Sequence, residues 1–175
     1  MVNRLVAFLA AAALFPASAQ GQVNEYQVKA AFLYNFARYV EWPAAAFTSP
    51  TDPIRICVLG QNRFGNALDQ ALAGKVVNGR PLVVDVVSNS QASSNCHILF
   101  VNSSERKRFL AVLDRIKGSS VLTVGEMPDF TADGGMINLR LEDGKVRFDV
   151  NVEAAGQGQL RISSKLLILA KIVKN

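Results

Sequence analysis

Four short apolar runs constrain the fold of this 175-residue chain more than any other feature. They occupy residues 54–59, 82–87, 96–101 and 121–124, and segments with helical or polar character separate them. Strands that alternate with helices of ten or more residues are typical of right-handed βαβ units and a parallel sheet. The pattern therefore predicts an α/β fold.

Two helices are predicted between these strands. Apolar residues recur at helical spacing between 64 and 72, and Gly74 is expected to stop that helix. A second helix is expected to begin at Ser104 as its capping residue and to carry an apolar stripe as far as Ile116.

The C-terminal third of the chain follows a different pattern. Residues 136–141 and 145–150 alternate around an Asp143–Gly144 turn, which predicts a β-hairpin. A loop rich in Gly and Gln then leads to residues 165–173, a run apolar nearly all round and expected to form a core helix. The prediction is a single-domain α/β sandwich, a mostly parallel sheet flanked by helices, with an antiparallel C-terminal hairpin at its edge.

The N-terminal segment has the features of a secretory signal peptide. Arg4 precedes an apolar run over 5–15, Pro16 interrupts it, and a small-x-small site ends at Ala19. The run is shorter than the roughly 18–20 apolar residues that a membrane span needs. We expect cleavage after Ala19 and a mature domain over 20–175 in the periplasm; a retained anchor or a buried first helix is the alternative.

Cys57 and Cys96 are the two cysteines of the chain. In an oxidising compartment an even pair indicates one disulfide, which would stabilise the fold by about 4 kcal/mol in the chain-entropy model. Two buried free thiols are the alternative, and a redox-catalytic pair is disfavoured because such cysteines usually lie two residues apart.

The first helix is predicted from Asn24, as its N-cap, to about Tyr39, and it must end before Trp42–Pro43. It has two apolar stripes where a surface helix normally has one. The helix is therefore either buried deep in the fold or packed on a partner. The first stripe comprises Val28, Ala31, Phe32, Phe36 and Tyr39, and the second comprises Tyr26, Ala30, Leu33, Ala37 and Val40.

Residues that could support catalysis or nucleic-acid binding have simpler structural interpretations. The net charge of +5 is dispersed, and the basic run 106–108 lacks interleaved aromatics, so a solvated helix face explains it better than a nucleic-acid site. His97 follows Cys96 in a predicted strand, which favours a structural histidine over a general base. Neither a zinc spacing nor a Gly-x-Ser-x-Gly elbow is present in the sequence. We expect no enzyme activity, metal or cofactor.

Two glycine-containing segments leave alternatives open. Residues 60–65 form a strand-to-helix turn where a phosphate could bind, but they match neither the P-loop nor the dinucleotide fingerprint. In the segment 130–139, Gly134 and Gly135 precede a strand and permit backbone conformations that a side chain would forbid. They are either a tight turn or a surface that another group approaches closely.

Taken together, the motifs resemble those of the YfiR/HmsC-like family of periplasmic regulators. The resemblance covers nearly the whole mature chain and is carried by the order and spacing of its pieces. It begins with Lys-Ala-Ala-Phe-Leu-Tyr-Asn-Phe at 29–36 and includes residues 41–43, 56–60, 79–82, 96–100, 122–125, 130–139, 146–151 and 162–167.

This resemblance implies a binding protein rather than a catalyst. Such proteins repress a membrane-bound diguanylate cyclase through its periplasmic part, which lowers cyclic-di-GMP and biofilm formation. The resemblance also implies dimerisation and a disulfide that matches Cys57–Cys96. For self-association or partner contact we expect the aromatic side chains of Phe32, Phe36, Tyr39 and Trp42, because interface hot spots are rich in such groups.

Two other functions remain open. A periplasmic small-ligand sensor acting on another membrane sensor would use the crevice at the carboxyl ends of the parallel strands. That crevice is expected to be lined by Gly60, Gln61, Asn62, Arg63, Asn102 and Ser104. An exported hydrolase would need His97 exposed beside a nucleophile.

Overall fold

The computed structural model describes residues 18–88 and 95–174. The helices are α1 (Ser18–Tyr39), α2 (Ala67–Leu72), α3 (Phe109–Ile116), α4 (Val152–Gln157) and α5 (Ser164–Leu167). The strands are β1 (Val40–Glu41), β2 (Ile54–Leu59), β3 (Val76–Val77), β4 (Arg80–Val87), β5 (Ile98–Val101), β6 (Leu122–Gly125), β7 (Ile137–Glu142), β8 (Lys145–Asn151), β9 (Arg161–Ile162) and β10 (Lys171–Val173).

Within these residues, eight strands form one sheet in the order β10-β8-β7-β6-β5-β2-β4-β3. Every neighbouring pair is parallel except β7 with β8 and β3 with β4. β1 and β9 form a separate antiparallel pair. The predicted α/β class, the mostly parallel sheet and the antiparallel hairpin are confirmed.

Helices and loops cover both faces of the sheet and give two apolar cores. On the first face, α1 and α2 pack on alternate residues of the central strands, such as Ile56, Phe100 and Val124. On the second face, α3 packs on the residues between them, such as Leu99 and Val101. Because both faces are covered, β5 and β6 are buried at every position, as is usual for parallel strands.

The beginnings of two helices differ from the prediction. α1 starts at Ser18, so Asn24 lies inside the helix and is not its N-cap. The predicted signal peptide lies outside the described residues except for its last two positions. After β5 the capping residue is Asn102 rather than Ser104: the Asn102 side chain accepts a hydrogen bond from the Ser104 amide, and residues 103–108 form a 3₁₀ helix before α3.

The C-terminal predictions were wrong in three respects. The Gly/Gln-rich segment forms α4, because the Asn151 side chain caps it by accepting from the Ala154 amide. Residues 165–173 do not form one core helix but short α5 followed by strand β10. β10 pairs with β8, so the hairpin is not the sheet edge. An all-apolar run has no period that separates helix from strand, and here pairing with β8 decided the outcome.

The glycines of the 130–139 segment have a packing role inside the fold. The Phe130 ring is fully buried and stacks on Phe109 with ring centroids 4.3 Å apart. A Cβ atom at Gly125 would lie 2.2 Å from this ring, and one at Gly135 would lie 2.3 Å from it. Gly134 additionally has a φ of +101°. The close approach is therefore made by Phe130 of the chain itself.

Candidate partner-binding surface

Helix α1 has one buried stripe and one partly exposed stripe. All five members of the second predicted stripe are buried, and Leu33 and Ala30 have no exposed surface. The helix is thus partly buried: one side packs in the core and the other is accessible to solvent. Its other stripe remains available for contacts outside the domain.

The first stripe is partly exposed apart from Phe36. Val28 is 38% exposed, and Phe32 and Tyr39 are half-buried. Phe32 packs on Phe148 of β8 with ring centroids 5.4 Å apart, which fixes its orientation. Phe36 was expected among the contact residues, but it has no exposed surface and belongs to the core.

The segment after α5 carries two further exposed apolar side chains. Ile168 and Leu169 are 81% and 69% exposed, among the most exposed large apolar side chains of the described residues. α5 contacts α1, and the Ser163 amide that precedes it donates to the Tyr39 carbonyl at 2.9 Å. We call Val28, Phe32, Tyr39, Ile168 and Leu169 the α1/α5 surface. Its α5 part was not predicted from the sequence, because the run 165–173 was expected to form a core helix.

Trp42 is held in place by residues of distant segments. Its indole Nε1 donates to the His97 carbonyl at 3.2 Å, and its ring meets the His97 ring edge-on. The His97 ring also stacks on Phe47 at 4.4 Å, and the Arg80 guanidinium lies 3.6 Å from the Phe47 centroid. Trp42 is half-buried, so part of its ring contacts the fold and part is exposed to solvent.

Both ring nitrogens of His97 are occupied. Nδ1 accepts from the Arg55 amide at 3.1 Å, which makes Nε2 the protonated nitrogen that donates to the Ala46 carbonyl at 3.0 Å. Burial lowers the pKa of His97, and the positive charges of Arg80 and Arg55 lower it further. The imidazole is therefore neutral, and both of its nitrogens make contacts within the fold.

The disulfide joins β2 to the residue just before β5. Cys57 and Cys96 have Cα atoms 5.9 Å apart and are bonded to each other, as predicted. Their exposed fractions are 1% and 4%. The bond therefore ties the residue that precedes β5 by two positions to strand β2, and neither cysteine has much exposed surface.

The predicted ligand crevice is partly filled by its own side chains. The Gln61 amide donates to the Ser104 hydroxyl at 3.4 Å, and Asn62 accepts from the Phe64 amide. A Cβ atom at Gly60 would lie 2.7 Å from Glu105 Cγ, so Glu105 occupies the space in front of this glycine. Arg63 is exposed at the rim. No contact in the described part of the chain singles out these residues as ligand-binding.

A buried polar network lies below this crevice and was missed by the sequence analysis. Lys29 Nζ lies 2.6 Å from Glu126 Oε2, and both side chains are about 95% buried. Asn102 donates to Glu126 Oε1 at 2.9 Å, and the Tyr26 hydroxyl donates to the same carboxylate at 2.9 Å. Burial, together with this carboxylate, raises the pKa of Tyr26 well above its ordinary range. The network fixes α1 to the carboxyl ends of β5 and β6.

The described residues hold neither a helix that is long and apolar enough to span a membrane nor a group of three metal-binding side chains. The chain is similar in fold to a solved conserved domain protein from Vibrio cholerae, with a TM-score of 0.50 and 12% identity over 70% of this chain. It spans 55% of the length of that protein. A family described as YfiR/HmsC-like matches residues 26–171. The chain therefore belongs to the YfiR/HmsC-like family.

Proposed function

We propose that this protein is an exported, non-catalytic regulator that binds the periplasmic part of a membrane-bound diguanylate cyclase and represses it. Repression would lower cyclic-di-GMP signalling and biofilm formation. Membership of a regulatory family of the periplasm supports the proposal. The nucleotide is made on the other side of the membrane, so the protein acts on the enzyme without binding its product.

The observation that carries the proposal is the α1/α5 surface. Five apolar side chains, two of them more than two-thirds exposed, lie on α1 and on the segment between α5 and β10, and α1 contacts α5. Exposed large apolar side chains on neighbouring elements are typical of an interaction site. Phe32 and Tyr39 are aromatic and positioned by the core below them, so they supply preorganised contacts.

Repression needs no chemistry at this surface. A regulator that binds one arrangement of the cyclase more tightly shifts the population of its arrangements. A shift from 1:99 to 99:1 needs about 5.5 kcal/mol of differential binding. A few well-packed aromatic and aliphatic side chains can supply that difference.

A pull-down of the oxidised protein against membranes from its own cell tests the proposal. We expect a membrane diguanylate cyclase among the proteins that mass spectrometry identifies. The double substitution Ile168→Asp/Leu169→Asp should abolish its recovery. Val76→Asp/Val86→Asp is the matched control, because both valines are 59% exposed at the opposite end of the sheet.

Two results would contradict the proposal. One is equal recovery of the cyclase by both double variants, which would contradict the assignment of the contact to the α1/α5 surface. The other is recovery of no membrane protein by the wild type. Light scattering of the purified variants separates partner binding from self-association, since loss of a dimer in the Ile168→Asp/Leu169→Asp variant would assign the surface to a second copy.

A further inference from the structure

A groove on the second face of the sheet is separate from the α1/α5 surface. It lies between α3, the loop before β7 and α4, and its volume is about 650 Å³. This volume falls within the range of about 300–1,000 Å³ that is usual for small-molecule sites. It also includes Gly134 and Met136 of the glycine-containing segment that the sequence analysis singled out.

The floor and walls of the groove are mainly apolar. Ile116 and Val121 are buried, Leu113 is half-buried, and Ala154 lines the α4 side. Met136 is 9% exposed. A Cβ atom at Gly158 would lie only 2.9 Å from its methyl group. A methionine at this position lets the floor adapt to the shape of a ligand.

Thr123 provides one polar group within these apolar surroundings. Its side chain lines the groove and is 1% exposed. The hydroxyl oxygen accepts from the Met136 amide at 2.9 Å, and the hydroxyl hydrogen has no acceptor among residues 18–88 and 95–174. A buried donor without an acceptor is unfavourable, so the groove favours a ligand that brings an acceptor oxygen.

Charges at the rim restrict the ligand further. Asp114, Asp133 and Lys117 surround the opening, so two carboxylates face one ammonium group. This excess of negative charge disfavours an anionic ligand. We propose that the groove binds a small, uncharged, mostly apolar molecule with one carbonyl oxygen, to which the Thr123 hydroxyl donates. The site is independent of the partner surface.

Fluorescence titration with prodan, an uncharged naphthalene ketone, tests this site in the isolated protein. We expect saturable binding with a blue-shifted emission. Thr123→Val keeps the side-chain shape but removes the hydroxyl, and it should weaken binding about fivefold. Ala154→Trp should fill the groove and abolish binding. Ala111→Trp is the control, because Ala111 is exposed on α3 outside the groove.

Several outcomes would overturn the proposal. Unchanged prodan binding by Ala154→Trp would place the probe on exposed apolar residues, and no binding by the wild type would remove the site altogether. Unchanged affinity of Thr123→Val would overturn the role of the hydroxyl. Thermal unfolding checks the fold of each variant. If Ala154→Trp does not fold, Leu110→Trp serves instead, because Leu110 is 62% exposed at the groove.

Competition distinguishes uncharged from anionic ligands. Acetonaphthone and naphthoate have the same apolar ring system but differ in charge. We expect acetonaphthone to displace prodan and naphthoate to displace it poorly. Stronger displacement by naphthoate would contradict the assignment of an uncharged ligand. Because no membrane partner is present, this result does not depend on the proposed repression of a cyclase.

Discussion

The two faces of the sheet are stabilised by different means. On the first face, α1 places long apolar side chains such as Leu33 and Phe36 against the strands, and the core there is continuous. The second face has a smaller core of helix α3, the Cys57–Cys96 bond and the Phe130 ring held between two glycines. Packing of a long amphipathic helix suffices on one side, whereas the other depends on a crosslink and on close backbone approach.

Of the changes that test this difference between the faces, removal of the disulfide should lower the free energy of unfolding most. Cys57→Ala/Cys96→Ala releases a loop with a sequence separation of 39 residues and should lower the free energy of unfolding by about 4 kcal/mol. Urea unfolding monitored by the fluorescence of Trp42, the single tryptophan, measures the change. A loss below about 1 kcal/mol would mean that side-chain packing alone stabilises the second face.

The same bond should resist reduction in the folded protein. Both cysteines are at least 96% buried, so a thiol reagent reaches them only after the fold opens. We expect reduction by dithiothreitol to follow the unfolding rate. A pull-down that is unaffected by the reductant is then consistent with a structural disulfide, and rapid loss of partner binding would instead indicate a redox switch.

The polar attachment of α1 tests the first face. Lys29→Met leaves the Glu126 carboxylate buried without its ammonium partner and should cost about 3 kcal/mol. Lys29→Met/Glu126→Gln should recover part of this loss, because a neutral amide then replaces the buried carboxylate. Glu25, the other partner of Lys29, is 22% exposed and stays solvated. Thermal unfolding of the wild type, Lys29→Met, Glu126→Gln and the double variant completes a double-mutant cycle. The cycle gives the coupling free energy between the two side chains. Additive effects would show that the two side chains act separately.

Close approach to Phe130 tests the second face. Gly135→Ala should lower the free energy of unfolding by about 2 to 3 kcal/mol, because a Cβ atom would lie 2.3 Å from the ring. Gly156→Ala is the control, since nothing lies within 4 Å of its Cβ position in α4; it should raise stability by about 0.5 to 1 kcal/mol. A neutral effect of Gly135→Ala would show that the ring can move aside.

The smallest effect concerns acid stability near His97. Its folded-state pKa is lowered by burial and by Arg80 and Arg55, so the unfolded chain binds the proton more tightly. This contribution to stability is fully present above the unfolded pKa of about 6.5 and is lost as the pH falls through the folded pKa. We expect the urea concentration at the unfolding midpoint to decrease as the pH is lowered from 7.5 to 5. The decrease should be smaller in His97→Gln. Parallel pH dependences in both proteins would exclude His97 as the cause.

Prediction from sequence succeeded where the periodic pattern and the physical constraint agree. The runs that became β2, β4, β5 and β6 have apolar content that only a buried sheet can satisfy, and the Asp143–Gly144 turn marks the hairpin because its geometry needs such residues. Prediction failed at residues 165–173, whose apolar run fits a helix or a strand equally well. The stripes of α1 were found, but which one is buried depends on how α1 packs against α2 and the central strands, which come later in the chain.

The candidate sites likewise contain residues that the sequence pattern could select and residues that it could not. Phe32 and Tyr39 could be selected from helical spacing, whereas Ile168 and Leu169 could not, because their all-apolar run has no period that assigns one side to solvent. The Lys29–Glu126 pair joins residues 97 positions apart and has no signal in a single sequence. Thr123 and the groove were equally invisible, since they arise where α3, α4 and the loop before β7 meet.

The sequence by itself determined the alternation of strands and helices and the family, and it indicated the disulfide between the only two cysteines. These follow from local hydrophobic periodicity, turn chemistry and residue identity, which are properties of residues close together in the sequence. Tertiary structure decided which stripe of α1 is exposed, that β10 is the sheet edge, and that Phe130 fills the space left by Gly125 and Gly135. Those outcomes depend on contacts between distant segments, and burial free energy fixes them only when the whole chain packs.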